Sequence, residues 1–340
     1  MKKLIALLLA LVMVVGMVAC ASDKPSEPAD TDEPADTNEP ADTNEPADTD
    51  EPADPEEPAD DDKLVIAWTD GNLANENNAM CTDVAKAYAA ELGIDFILLD
   101  GEGNGENQVA HCETLIAQGV DCVIMQAYDA AACQAGVELC IEAGVPVLCA
   151  KTMLEDNTLC PFVGQNDTDA GEMEMQWIAD QLGGKGNIVV LEGPTGNSAA
   201  IQRNDGINNI LAEYPDIKVL YTQTGNWNRE EGMALMETWL QMGQQIDAVV
   251  AHNDEMALGA YDAIADAGKA GEILVIGIDA IQAAKESVAA GEMDVTILQD
   301  VETIAKTAID TAVKMTKGEE VEQFTYIAPV LLTKDTVGDY

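Results

Sequence analysis

Basic side chains are scarce in this chain. Its 340 residues include 16 lysines and arginines against 63 aspartates and glutamates, a formal charge of −47. Residues 23–62 hold 18 of the acids, and Lys2, Lys3 and Lys24 are three of the bases, which leaves 45 acids and 13 bases in 63–340. A body of that sign repels nucleic acid and anionic lipid, so neither is expected as a partner. Histidine is scarcer still, with only His111 and His252. Two such residues leave little for general base catalysis, and no Ser-His-Asp or activated cysteine arrangement is visible. His111-Cys112-Glu113 on a helix would point its neighbours apart, a poor metal site. Asp167-x-Asp169 lacks the glycine and distal glutamate of a calcium loop. Gly101-Glu102-Gly103-Asn104-Gly105 lacks the G-K-[ST] of a phosphate cradle and is expected as a turn before a helix. No enzyme activity, cofactor or metal is expected.

No C-x-x-C pair occurs either. Seven cysteines follow Cys20, all between Cys81 and Cys160. Their number is odd, and several fall in apolar strands or on helix faces, where a thiol packs as a small hydrophobe. Mostly free thiols are expected. Disulfides remain open outside the cell, and sequence alone does not pair them.

Long apolar runs are missing after residue 19. The one present, Leu4 to Ala19, follows Lys2-Lys3 and stops at Cys20. Two charges, a run slightly short of a membrane span and small residues at its end describe a secretory signal. Met17-Val18-Ala19-Cys20 resembles a bacterial lipobox, which implies cleavage before Cys20 and a lipid on it. Residues 1–20 are therefore expected as a lipoprotein signal. Glu27, Glu33, Glu39, Glu45, Glu51 and Glu57 each then open a unit E-P-A-D-x-x. Regular proline and dense like charge bury nothing, so 21–62 is expected as a disordered, stiffened spacer.

The remaining body is large enough for one big α/β unit or two lobes. Short continuous apolar runs, the mark of parallel strands covered on both faces, recur at 64–68, 96–99, 122–125 and 145–149. A second series lies at 188–191, 219–221, 248–250 and 273–276. Amphipathic stretches such as 81–92, 199–213 and 229–242 alternate with them. Eight such units would also suit a closed barrel. Phe162 to Asp167, however, reads as an extended link between two series, and the tail returns to strand patterns at 295–299 and 326–332. Two doubly wound parallel-sheet lobes joined by several crossings are expected, with a binding cleft between them. The lobes are taken as 63–165 plus 300–327 and 166–299 plus 328–340.

The most informative stretch is Ala251-His252-Asn253-Asp254-Glu255-Met256. An apolar strand runs into a polar pair and then a helix, and ligands bind at that edge of a parallel sheet. Asn253 is read as a ligand group, Asp254 as the helix cap and His252 as structural.

With Gly193-Pro194-Thr195-Gly196-Asn197-Ser198 followed by Arg203-x-x-Gly206, with Ile276-Gly277-Ile278-Asp279 and with Thr296-Ile297-Leu298-Gln299, this stretch resembles the periplasmic sugar-binding proteins of the ribose-binding type. The likeness covers nearly all of 63–340. It implies the type I periplasmic binding protein fold. It also implies that Arg203, Asn253, Asp279 and Gln299 hydrogen-bond sugar hydroxyls, with Trp227 packed on the ring. Paired hydroxyls suit planar amide, carboxylate and guanidinium groups. Asp279, at a buried strand end, needs Arg203 or a ligand as partner.

The first lobe departs from the family. Asn75 matches, but Glu76-Asn77-Asn78 replaces a proline and two aromatics, and Lys151-Thr152 replaces an Asp-Arg pair. Asn75, Asn77, Asn78, Lys151 and Thr152 are taken as the first lobe's ligand residues. Trp68 or Leu73 is the candidate replacement for the lost aromatic stack, and Trp68 reads equally well as core. Lys151 with Arg203 opens the reading of an anionic sugar acid; the other reading pairs Lys151 with Asp279 or a nearby acid. The resemblance implies a monomeric receptor for a sugar or polyol that serves an ABC permease. The lipid on Cys20 would hold it at the outer face of a bacterial cytoplasmic membrane. A ligand-presenting receptor for a membrane sensor is the alternative.

Overall fold

A computed structural model describes residues 63–340. The signal, Cys20 and the repeat of 21–62 lie outside the described residues. The first sheet contains β1 (Val65–Asp70), β2 (Asp95–Asp100), β3 (Cys122–Met125), β4 (Val147–Ala150) and β5 (Phe162–Gln165). Their helices are α1 (Glu76–Glu91), α2 (Gly105–Gln118) and α3 (Gln134–Ala143). After β5 the chain crosses to a second sheet through α4 (Asp167–Gln181), β6 (Lys185–Glu192), α5 (Ser198–Leu211), β7 (Asp216–Thr224), α6 (Arg229–Gln241) and β8 (Ala248–Ala251). That sheet continues with α7 (Asp254–Asp266), β9 (Leu274–Asp279), α8 (Gln282–Ala290) and β10 (Val295–Leu298). The chain then returns to the first sheet for α9 (Val301–Thr316) and β11 (Phe324–Ile327) and crosses back for β12 (Val330–Thr333).

The strand orders are β11-β5-β4-β3-β1-β2 and β12-β10-β9-β8-β6-β7. Every pairing in the first sheet is parallel. In the second only β12, at the edge, runs antiparallel to its neighbour. The segment 162–167, expected as a link, is thus a paired strand plus a helix start: Cys149 lies opposite Phe162 and Phe324 opposite Phe162 on its other side. All four residues of the strand, the polar Gln165 included, are buried.

Alternation along each strand builds two cores per sheet. Ile66, Trp68, Ile124 and Leu148 pack under α1 and α9, while Ala67, Val123, Met125 and Cys149 pack under α2 and α3. Val189, Leu191, Val249 and Ala251 face α6 and α7; Ile188, Val190, Ala248 and Val250 face α4 and α5. Each such large side chain contributes about 1.5–3 kcal/mol by leaving water. Trp68 is fully buried in this core, so it does not serve the cleft. The seven cysteines from Cys81 to Cys160 are free and buried. Burial pushes the Cys81 thiol up to about 12. No helix among the described residues is long and apolar enough to cross a membrane.

Asparagine caps six of the helices at the strand-end loops: Asn75, Asn104, Asn166, Asn197, Asn228 and Asn253. Each accepts a hydrogen bond on its side chain from an amide of the first turn, which the helix itself leaves unbonded. The choice also orients the side chain. With Oδ1 committed to the helix, Nδ2 is the group left to act elsewhere.

Candidate functional site

In the first lobe the site grows from the end of β1. Asp70 Oδ1 accepts from the Asn72 amide at 2.8 Å and from Asn78 Nδ2 at 3.2 Å. Asn78 Nδ2 also donates to the Asn72 carbonyl. Asn75, the cap of α1, accepts from the Asn78 amide at 3.1 Å. Across from them Lys151 leaves β4 with φ +62° and is almost wholly buried. Its ammonium donates to Asn78 Oδ1 at 2.7 Å and to Asn77 Oδ1. Asn78 thus relays between a cation and a carboxylate. Burial pushes Asp70 up to about 6, with Lys151 pulling the other way. Thr152 donates from Oγ1 to the Ala127 carbonyl at 2.8 Å.

In the second lobe two helices meet through glycine. A Cβ on Gly206 would lie 2.2 Å from the Thr168 carbonyl, and one on Gly171 2.2 Å from the Arg203 carbonyl, so only glycine allows α4 and α5 to approach this closely. That contact brings Asp167, the first residue of α4, against Arg203. Asp167 Oδ1 accepts from Arg203 Nε at 2.9 Å and lies 2.8 Å from Nη2. Nη1 donates to the His252 carbonyl. The guanidinium carbon sits 5.5 Å from the Trp227 ring centroid. Trp227 and Asn226 both have left-handed backbone, with φ +62° and +53°. The Trp227 ring lies on Gly193, where a Cβ would come within 2.1 Å of it.

Asn253, not Asp254, caps α7: its Oδ1 accepts from the Met256 amide at 3.1 Å. Its Nδ2 donates to the Trp227 carbonyl at 3.3 Å. Asp254 is fully buried and accepts from Thr296 Oγ1 at 2.7 Å and from the Ile281 amide at 3.1 Å. It thereby fixes the turn after β9, where Asp279 and Ala280 have φ +133° and +57°. The expected capping role fails because both Asp254 carboxylate oxygens are taken by Thr296 and the Ile281 amide instead. His252 is buried, and its Nδ1 accepts from the Gly193 amide at 3.3 Å, a structural bond.

Asp279 is the open acceptor of the site. No protein donor among the described residues bonds its carboxylate. Burial pushes its pKa up, while Arg203 and Lys151 draw it back. Asp254 behind it is also pushed up, by burial first and by Asp279 next. Of the two expected partners of Asp279, Arg203 or a ligand, Arg203 does not bond it, because Asp167 occupies the guanidinium. Nor does Lys151 pair with a carboxylate; two neutral amides hold it.

All ten expected residues line one cavity between the lobes: Asn75, Asn77, Asn78, Lys151, Thr152, Arg203, Trp227, Asn253, Asp279 and Gln299. Polar side chains of both lobes converge on it, as in small-molecule sites. Asn72, Gln126, Tyr128 and Asn197 line it as well and were missed. Tyr128 supplies the first lobe's aromatic, in place of Trp68 or Leu73. It follows β3 directly, and a polar-aromatic Gln126-Ala127-Tyr128 at a strand's carboxyl end was the available signal.

The lobes touch through the loop before α5. The Ala130 amide donates to the Gly196 carbonyl at 2.9 Å, Asn197 Nδ2 to the Tyr128 carbonyl at 2.9 Å, and the Met153 amide to Ser198 Oγ at 2.7 Å. Met80 packs against cores of both lobes. The cleft is closed.

Known proteins share this arrangement. The profile of the periplasmic binding protein domain matches residues 73–320. A xylitol-binding protein of Mycolicibacterium smegmatis is 39% identical over 252 residues, covering 74% of this chain and 72% of its own length. The ribose import binding protein of Bacillus subtilis is 34% identical, covering 75% and 83%. A crystal structure of an ABC transporter solute binding protein from Bacillus halodurans, with bound myo-inositol, superposes with a TM-score of 0.79. It is 35% identical, and the match covers 82% of this chain and 97% of that one.

Proposed function

This chain belongs to the periplasmic binding protein family, and we propose that it is an extracytoplasmic receptor that captures a neutral polyhydroxylated ligand between two lobes and delivers it to an ABC importer. The ligand class is a monosaccharide, polyol or cyclitol. The relatives are named for xylitol and ribose, and one solved structure holds myo-inositol.

One observation carries the neutral reading: the cavity's charges are already matched. Arg203 is taken by Asp167. Lys151 lines the same cavity as Asp279 and feels Asp70 behind Asn78. A carboxylate ligand would meet one open cation and one open anion and gain little from either. A hydroxyl both donates and accepts. It suits Asp279 as acceptor and Lys151, Asn75 and Asn253 as donors, with the faces of Trp227 and Tyr128 for C–H groups. We assign ligand contact to Asn75, Asn77, Asn78, Lys151, Thr152, Arg203, Trp227, Asn253, Asp279 and Gln299. We assign the lipid anchor to Cys20, and the lobes to 63–165 plus 300–327 and 166–299 plus 328–340, a division that the two sheets support. No catalysis is proposed.

Thermal unfolding with myo-inositol, xylitol, ribose and glucuronate tests this. A neutral ligand at about 100 times its Kd adds about 2.7 kcal/mol, a rise of several degrees in Tm. Stabilisation by glucuronate alone overturns the neutral class. No response across a wider sugar and polyol panel overturns the receptor reading. Small-angle scattering with the stabilising compound then reports compaction if capture is closure.

A further inference from the structure

Five of the seven thiols gather on one face of the first sheet: Cys112, Cys133, Cys140, Cys149 and Cys160. Two pairs of them bring their thiols together, Cys112 with Cys140 and Cys149 with Cys160, and Cys160 Sγ lies 3.5 Å from Cys149 Sγ. A disulfide needs about 2.0 Å. The backbones are already fixed side by side. The Cys149 amide donates to the Pro161 carbonyl at 2.8 Å, and Cys149 pairs with Phe162 across β4 and β5. Side-chain rotation with a small shift closes the gap.

The ten residues between them, Ala150 to Leu159, leave the end of β4 and form a loop. This loop carries Lys151 and Thr152 into the cavity, and its Met153 amide bonds Ser198 of the other lobe. It is anchored at its far end by Gln323 Nε2, which donates to the Asn157 and Cys160 carbonyls. Both cysteines line a shallow surface dent shared with Met153, Asp156 and Asn157. Cys160 is 6% exposed and Cys149 2%.

We propose that Cys149 and Cys160 are a disulfide-forming site that staples the base of the loop bearing Lys151. An extracytoplasmic setting, which follows from the family, supplies disulfide oxidants. The step is thiol–disulfide exchange with an external disulfide RS–SR. Cys160 Sγ, the more exposed, attacks one sulfur, forms a mixed disulfide and releases one RSH. Cys149 Sγ then attacks Cys160 Sγ and releases the second. The two thiol protons leave on the two RSH molecules; the cysteine pair is oxidised and RS–SR reduced. Cys149 is held well above the ordinary thiol range by its bond to Cys160 and by burial, so exchange is slow and follows opening of the loop.

The full chain, purified reduced and then incubated with oxidised glutathione, tests this without any ligand, so its outcome is independent of the receptor reading. Peptide mapping without reduction should recover a Cys149–Cys160 crosslink. Oxidation should raise Tm by about 4 °C or more, as expected for a loop this short, and slow deuterium uptake in 150–159. Reduction should reverse both effects, and Cys160→Ser and Cys149→Ala should each abolish them. The proposal is overturned if oxidised protein yields a Cys112–Cys140 crosslink instead, a glutathione adduct that persists on Cys160, or no crosslink at saturating oxidant.

Discussion

Asp167 and Arg203 form a buried ion pair in which one carboxylate oxygen meets both Nε, at 2.9 Å, and Nη2, at 2.8 Å, of the same guanidinium. Both side chains are within 4% of complete burial. The pair joins the start of α4 to the middle of α5 directly behind the cavity.

Breaking it from one side should therefore cost more than removing it whole. Asp167→Leu leaves a buried cation with only the His252 carbonyl as a hydrogen-bond acceptor, and about 3–5 kcal/mol of stability should be lost. The double variant Asp167→Leu/Arg203→Met leaves no orphaned charge and should recover a large part of that loss, since contacting sites are not additive. Urea unfolding of the two single variants and the double reads this. A double variant no more stable than the singles would show that the pair does not act as a unit. Binding of whichever compound stabilises the parent should be weakened in all three.

Lys151 offers a second separable prediction. Lys151→Met leaves the Asn77 and Asn78 carbonyl oxygens without their donor. A hydrogen bond to a charged group is worth about 1.5–3 kcal/mol, so affinity for a bound polyol should fall about 10–100-fold. Titration calorimetry measures it with myo-inositol or the best ligand of the thermal panel. An unchanged Kd with lowered Tm would make Lys151 a scaffold for the Asn pair and not a ligand contact. Asp70 should titrate above its present value of about 6, since the cation that opposes its burial is gone.

Why were the ten cavity residues legible in sequence while their partners were not? Strand ends in a parallel sheet converge on one edge, which placed Asn253, while Asp279 and Lys151 came from the resemblance to the sugar-binding family. Partner choice is different. Asp167 and Asp279 are both acids near the cavity, and only the close packing of α4 on α5 through Gly171 and Gly206 hands the guanidinium to Asp167. Asn253 and Asp254 are both good caps. Thr296 and the Ile281 amide, far along the chain, decide between them. Tyr128 was missed for a related reason: a single aromatic after β3 carries no periodic signal. The positions of most strands, by contrast, follow from short apolar runs that were visible throughout.

Glu174 gives the last prediction. It is fully buried on α4, and neither carboxylate oxygen has a hydrogen-bond partner. Burial holds its pKa well above the usual carboxylate range, against the pull of Arg203. A carboxyl whose folded value lies above its unfolded one binds more protons when folded. Its contribution is therefore complete at low pH and is lost as pH rises toward the folded value. His252 works in the opposite sense below about pH 6.5, because burial lowers it to about 3 and only the unfolded chain then takes up its proton. Cysteine ionisation in the unfolded chain enters above about pH 8. Between these limits Glu174 and Asp254 dominate, and the ligand-free protein should lose stability as pH rises from 6.5 to 8. Glu174→Gln removes the ionisable proton at nearly constant shape. It should flatten this slope and raise Tm more at pH 8 than at pH 6.5, by about 2–4 °C for each kcal/mol relieved. Differential scanning calorimetry at the two pH values reads the difference. An equal shift at both would show that Glu174 does not hold its proton in the folded protein, and a lower Tm at both would mean that its carboxyl makes a bond that the amide cannot replace.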